Sequence, residues 1–256
     1  MSADVMATTQ SLALVFCRLL AAFLLTPAFS VRTVPARFKV GLAFFTSLAL
    51  WSGGWVALSE PLPVLPLAAA VLRESVVGAA IGFTAHLFAA IGQVAGSIID
   101  LQVGFRAANL MNPLTSMPGS AVDQLYFLLA SVLFLGLDGH HLLLMALAET
   151  FDALPLDASP GLSGQALAHL AAGVSSAVVA GVRIALPVVA VTLVLDVMLA
   201  LLARAVPQIQ VFFVGLPVKL GLGLGVLLLT VPVVVIIMRE LLGQIPRQIE
   251  LLVQAL

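Results

Sequence analysis

Four stretches of this chain run for nineteen residues or more without an aspartate, glutamate, lysine or arginine: 40–59, 75–99, 158–182 and 220–238. At ~1.5 Å of helical rise per residue, each can cross the ~30 Å hydrocarbon layer of a membrane. A soluble fold cannot carry them, because its surface needs polar groups that are missing here. Hydrophobic residues make up 62% of the chain and charged residues 9%, where an ordinary globular protein carries ~25% charged. The same balance excludes disorder, which needs low hydrophobicity and high charge. A net charge of -1 gives no footprint for nucleic acid. The single cysteine, Cys17, rules out an internal disulfide framework and a multi-cysteine metal site. The apolar runs are continuous rather than alternating, which favours helices over a transmembrane barrel. The expectation is an all-α, polytopic membrane protein.

Shorter uncharged runs at 124–137, 184–195 and 205–218 are too short to span alone. They suit broken helices, re-entrant pieces or helices buried in protein. Another apolar segment, 11–29, carries Arg18 in its middle. Prolines and glycines mark the joints, at Pro27 and Pro35, in 60–66, in 112–119, and at Pro155 with Pro160. The last joint separates a front part, about 1–155, from back hairpins, about 160–256, within a single domain covering 1–256. Residues 1–10 contain Asp4 and no basic residue, so this segment lacks the positive region of a cleaved signal and is expected to be retained. Basic residues are scattered, and no loop dominates the count that would set sidedness.

Six charges sit in apolar context: Arg18, Glu74, Asp100, Arg183, Asp196 and Lys219. At membrane depth such groups must face protein, water or one another. A proton path would place acids together on one helix face. No such pair occurs, so pairing between helices or subunits, or a segment that does not lie in lipid at all, is expected ahead of an ion or proton path. Arg73 and Glu74 adjoin, and neighbours in a helix are not expected to face each other. His140 and His141 follow Asp138-Gly139; adjacent histidines on a helix diverge and chelate poorly, so a turn at a helix end is expected rather than a metal site. There is no G-x-S-x-G and no assembled catalytic set, so no enzyme activity and no cofactor is expected. Gly221, Gly223 and Gly225 lack the spacing of a dinucleotide site and fit close helix packing better.

Small residues at spacings of four, Gly78 with Gly82 and Gly92 with Gly96, let helix backbones approach closely. They predict a densely packed, protein-surrounded helix from Arg73 to about Gly104, whose partner lies in the same chain or another. The segment 109–120 differs: it is uncharged and loop-like, yet it holds Leu110, Met111, Leu114 and Met117. Two readings fit it, a re-entrant loop buried in protein and an adaptable seal whose methionines fill a changing gap.

Several motifs together carry a resemblance. The strongest is the run 203–219, in which Arg204, Pro207, Gln208, Phe212, Gly215, Pro217 and Lys219 stand in an Arg-x-x-Pro-Gln-x-x-x-Phe-x-x-Gly-x-Pro block. Others are Arg73-Glu74 with Gly78 and Gly82; Gly96 with Asp100, Gln102 and Gly104; Gly139-His140-His141 with Phe151 and Pro155; and Arg18 followed by Pro27, Pro35 and Arg37. In this order, over nearly the whole length, the chain resembles the FliR/SctT family. These are export-gate membrane proteins of flagellar and virulence type III secretion systems, and the flagellar branch is the better match. Asn112-Pro113 stands where many relatives carry Asp-Pro.

The resemblance implies helical hairpins with broken helices, resembling a fused FliP plus FliQ pair. It implies a place in the bacterial inner membrane at the flagellar basal body, with part of the chain held above the membrane plane. Implied partners are five copies of a FliP/SctR-type and four of a FliQ/SctS-type protein, FlhB/SctU-type and FlhA/SctV-type export proteins, unfolded secreted substrates and the lipid membrane, with no nucleic acid. Implied roles are a pore plug made by Arg106, Asn109, Leu110, Met111, Asn112, Pro113, Leu114 and Met117. Subunit or helix contacts would fall to Arg18, Arg73, Glu74, Gly78, Gly82, Gly96, Asp100, Gln102, Arg204, Pro207, Gln208, Phe212, Gly215, Pro217 and Lys219. The competing function is a small-solute secondary transporter with a midplane site between broken helices. That reading requires inverted repeats, which the hydropathy pattern lacks.

Overall fold

A computed structural model of the chain describes residues 3–30, 34–54, 56, 58, 60–105, 121–157, 163–208 and 210–256. Every regular element among them is a helix. In chain order these are α1 (Ala3–Leu25), α2 (Pro27–Ser30), α3 (Ala36–Ser52), α4 (Val64–Val103), α5 (Ala121–Gly136), α6 (Gly139–Ala153), α7 (Gly164–Ala205), α8 (Val211–Leu242) and α9 (Ile245–Ala255). Four stretches are long and apolar enough to cross a membrane: Val5–Leu25, Val64–Val103, Gly164–Ala205 and Phe213–Ala255. The pair α5–α6, bent by 68°, would make a fifth. An all-α polytopic membrane protein is therefore what the chain forms.

Local chemistry sets the helix ends. Pro35 precedes α3, and Gly53 with Gly54 (φ 74°) stops it. That chemistry corrects one expectation, for 40–59 does not form one span. Its helix is 17 residues long, begins before Lys39 and ends at Ser52, so it is not among the span-length helices. The break between α5 and α6 falls on Asp138 at φ 58°, a left-handed conformation that Asp adopts more readily than most residues. His140 and His141 lie in the turn that follows, at a helix end as expected. The Ser163 hydroxyl accepts from the Ala166 N–H (3.0 Å), which caps α7, and it also donates to the Ala255 carbonyl at the end of α9.

A second correction concerns the short uncharged runs. Residues 184–195 are not a separate piece but the interior of α7, which continues unbroken to Ala205. The run 205–218 straddles the end of α7 and the start of α8. Charges did not mark helix ends: Arg183 and Asp196 both lie inside α7, and Lys219 lies inside α8. At ~1.5 Å per residue, the 40 residues of α4 and the 42 of α7 reach about 60 Å, twice the hydrocarbon thickness.

The chain forms two compact units that interleave along the sequence: Met1–Phe88 with Phe134–Val174 and Leu241–Leu256, and Ala89–Leu133 with Ser175–Glu240. In the first, α1 packs on α3 and on the first half of α4, and α6 packs on α9. Leu14, Leu19 and Phe23 of α1, Ile81 of α4, Leu143 and Leu147 of α6 and Ile249 of α9 are all nearly inaccessible. Gln10 holds the linker before α4, donating to the Leu62 carbonyl (3.0 Å) and accepting from the Leu62 N–H (2.7 Å). In the second unit, Ile99 and Val103 of α4, Tyr126 of α5, Ile184 and Val188 of α7 and Met238 of α8 form the buried centre.

The small residues of α4 find their partners within the chain. A methyl group on Gly78 would strike the Arg18 carbonyl, and one on Gly82 the Ala22 carbonyl, both in α1. The contacts advance in the same direction on both helices, so α1 and this part of α4 run parallel. In the second unit, a methyl on Gly92 would lie 2.9 Å from the Tyr126 carbonyl and one on Gly96 would strike Asp123. Here the order reverses, so α5 runs antiparallel to α4. These are backbone-on-backbone approaches that a side chain would prevent. Of the three glycines in 221–225, Gly223 packs closely, on Val103, while Gly221 and Gly225 face open space.

Candidate functional site: charges inside an apolar chain

In the first unit, Arg18 and Glu74 are each 1% exposed, so their charges must be satisfied in place. The guanidinium of Arg18 donates from Nε to Glu74 Oε2 (2.5 Å). It donates from Nη1 to the Thr150 carbonyl and hydroxyl (3.1 Å each) and from Nη2 to the Leu154 carbonyl (2.9 Å). Its Cζ lies 4.0 Å from the centre of the Phe151 ring, within cation–π range. Thr150 and Leu154 stand at the C-terminal end of α6, where unpaired carbonyls and the helix dipole favour a cation. One buried arginine thereby ties α1, α4 and the end of α6 together.

Arg73 joins the cluster. It donates to Glu74 Oε1 (3.1 Å from Nη2) and to the Leu156 carbonyl. The two side chains meet although they are adjacent, which corrects the expectation that they could not. The neighbour rule concerns the directions of the Cβ atoms, and arginine's long, flexible stem curls back across that angle. Glu74 thus accepts from two guanidinium groups, and each carboxylate oxygen has a partner.

The second unit holds a looser arrangement. Lys219 of α8 donates to both oxygens of Asp196 on α7 (2.7 and 2.8 Å), and Gln102 of α4 donates to Asp196 Oδ2 (3.2 Å). Asp196 is 40% exposed and Lys219 19%. Asp100, wholly buried, does something else. Its Oδ2 accepts from the main-chain N–H groups of Val122 (3.1 Å) and Asp123 (3.3 Å) at the start of α5. A helix N-terminus leaves such donors unpaired and favours a negative charge, so Asp100 caps α5 from another helix.

The remaining sequence candidates divide by position. Arg106, Asn109, Leu110, Met111, Asn112, Pro113, Leu114 and Met117 lie outside the described residues. Arg204 is exposed in the last turn of α7, Pro207 and Gln208 are exposed in the break before α8, and Phe212 lies in the first turn of α8. Gly215 packs against the Leu199 side chain, and Pro217 lies inside α8. The structure thus brings Arg18, Arg73 and Glu74 together, and separately Gln102 with Lys219. Thr150 and Asp196 complete these groups; Asp196 was among the charges expected to pair between helices, and Thr150 was not expected. For Asp196 the signal was present, since an acid inside an apolar run needs a cation. For Thr150 there was none, because its role comes from where α6 ends.

Among the described residues, no three His, Cys, Asp or Glu side chains gather as metal ligands. The charged groups that are brought together are joints between helices, with their hydrogen-bonding capacity directed at one another.

The family described as bacterial export proteins, family 1, matches residues 9–245. The flagellar biosynthetic protein FliR of Bacillus subtilis (strain 168) is 32% identical over 233 residues, covering 89% of this chain and 88% of that protein. The protein of the same name from Escherichia coli (strain K12) is 33% identical over 233 residues, 89% and 87% of the two chains. That of Caulobacter vibrioides is 30% identical over 220 residues, 85% and 87% of the two chains.

Proposed function

The chain belongs to family 1 of the bacterial export proteins, and on that premise we propose that it is a structural and gating component of the type III protein export channel, needed for secretion of flagellar proteins across the bacterial inner membrane. The observation that carries this reading is the family match over 9–245, which includes every charged joint described above. The relatives' name, flagellar biosynthetic protein, favours the flagellar system over a virulence system. The chain acts as a gate rather than a motor.

The expected partners are five FliP-type and four FliQ-type gate proteins, with FlhB-type and FlhA-type export proteins nearby. Unfolded substrates pass through the channel they form together. Helices about twice the hydrocarbon thickness, with apolar residues exposed along much of their length, support a site at the basal body where part of the chain is held above the membrane plane by other proteins. In this reading 106–120 is the plug, its Met and Leu side chains closing the resting channel.

Gentle extraction followed by native mass spectrometry tests the assembly. One copy of this chain with several copies of two other small hydrophobic proteins is the expected result. A monomer or homodimer would leave the gate without its wall and favour the transporter. Replacing Met111 and Met117 with Gly is expected to keep the assembly and raise ion leakage; unchanged conductance counts against the plug.

A further inference from the structure

Of the six charges that stand in apolar context, five are satisfied within the chain: Arg18 with Glu74, Asp100 with the start of α5, and Asp196 with Lys219. Arg183 is the exception. It lies near the middle of α7, its side chain is exposed, and it makes no ion pair or side-chain hydrogen bond among the described residues. The opposite side of α7, with Ala177, Ile184, Ala185 and Val188, is buried in the second unit. Around Arg183 the outward side is apolar: Val179 (48% exposed), Val182 (39%) and Leu186 (52%).

The backbone adds a second polar group at the same place. Pro187 lies inside α7 and has no N–H, so the carbonyl of Arg183, four residues earlier, has no donor at position 187 to bond. Arg183 therefore presents a guanidinium with an acceptor beside it, on an otherwise apolar surface.

Lipid cannot cover all of that surface. Exposed apolar side chains run from Leu167 to Leu202, on a helix about twice as long as a bilayer's core is thick. Whichever half lies in lipid, the other needs protein against it. Arg183 stands between the halves, on a face whose neighbouring side chains, Val179, Val182 and Leu186, offer its guanidinium no acceptor.

We infer that the outward face of α7 around Arg183 is an interface for an apolar helix of a partner membrane protein, and that this helix carries a carboxylate which pairs with Arg183. A carboxylate fits because it takes two parallel N–H bonds from the guanidinium fork. The inference rests on the reading that the chain works inside a membrane complex.

The test uses that complex, extracted from membranes carrying the wild-type chain, R183K, R183L or R183E, and weighed by native mass spectrometry. R183K is expected to stay assembled. R183L and R183E are expected to lose at least tenfold of the assembled form, with R183E the worse because it sets two carboxylates against each other. Selection for restored secretion in the R183E strain is expected to yield substitutions that remove an acid, or add a base, within an apolar helix of a partner. Thermal unfolding of each isolated chain should be unchanged, because Arg183 holds nothing within it. An R183E complex that forms as well as an intact wild-type complex overturns the inference alone. A wild-type chain that is extracted without partners overturns the function proposed above and this inference with it.

Discussion

Two ion-paired sites among the described residues use the same chemistry in opposite settings. Arg18 and Glu74 are 1% exposed, and their cluster takes in Arg73, the Phe151 ring and the carbonyls at the end of α6. Asp196 and Lys219 meet at 2.7 Å with 40% and 19% of their side chains exposed, and a single amide assists. The difference lies in what remains when one partner is lost. A buried guanidinium without its carboxylate has nowhere to go, whereas a partly exposed lysine can turn to another acceptor. The first site is a permanent joint and the second is an adjustable one.

The largest effect should come from Glu74→Gln, which removes the anion that Arg18 and Arg73 share. Breaking a buried pair costs about 3–5 kcal/mol, read as a lower melting temperature of the purified chain in detergent. A melting temperature equal to the wild type's would erase the distinction between the two sites. Next comes Gly78→Ala. Its methyl meets the Arg18 carbonyl, which is main chain and cannot step aside, so ~2–3 kcal/mol of overpacking is expected in the same assay.

Asp100→Ala separates burial from location, because Asp100 is a fully buried charge in the second unit. Losing its hold on the start of α5 should cost ~1–2 kcal/mol, with faster hydrogen exchange at the amides of Val122 and Asp123. Exchange unchanged at those amides would show that the cap is not holding the helix. The smallest effect belongs to Lys219→Ala, at about 1 kcal/mol or less. A loss comparable to that of Glu74→Gln would mean that the exposed pair is a joint of the first kind.

Much of this fold could be read in the chain's long uncharged runs. Those at 75–99, 158–182 and 220–238 lie within α4, across the start of α7 and within α8. The glycine spacing located where helices touch, and both pairs in α4 meet main chain in another helix. Charge proved a poor guide to where helices end. Arg183 and Asp196 bound the run 184–195 but do not end α7, because a charged side chain leaves the helical backbone bonds intact. Proline and glycine decided the true ends, as Pro35 and Gly53 do for α3.

The charged joints were legible as a need for partners, but not as particular pairs. Arg18 finds its acceptors at residues 74, 150 and 154, a match made by how three helices converge. No local pattern records such a convergence. The adjacency of Arg73 and Glu74 even pointed the wrong way, because Cβ geometry ignores how far an arginine can reach.

The position of Arg18 also has a consequence for biogenesis. Its carboxylate partner is made 56 residues later, and its carbonyl acceptors 132 and 136 residues later. At ~5–20 residues per second, α1 exists for on the order of ten seconds with an unmatched cation in its middle. A helix in that condition does not settle alone in hydrocarbon. α1 leaves the ribosome well before α6, yet its buried cation is matched only once the end of α6 has been made.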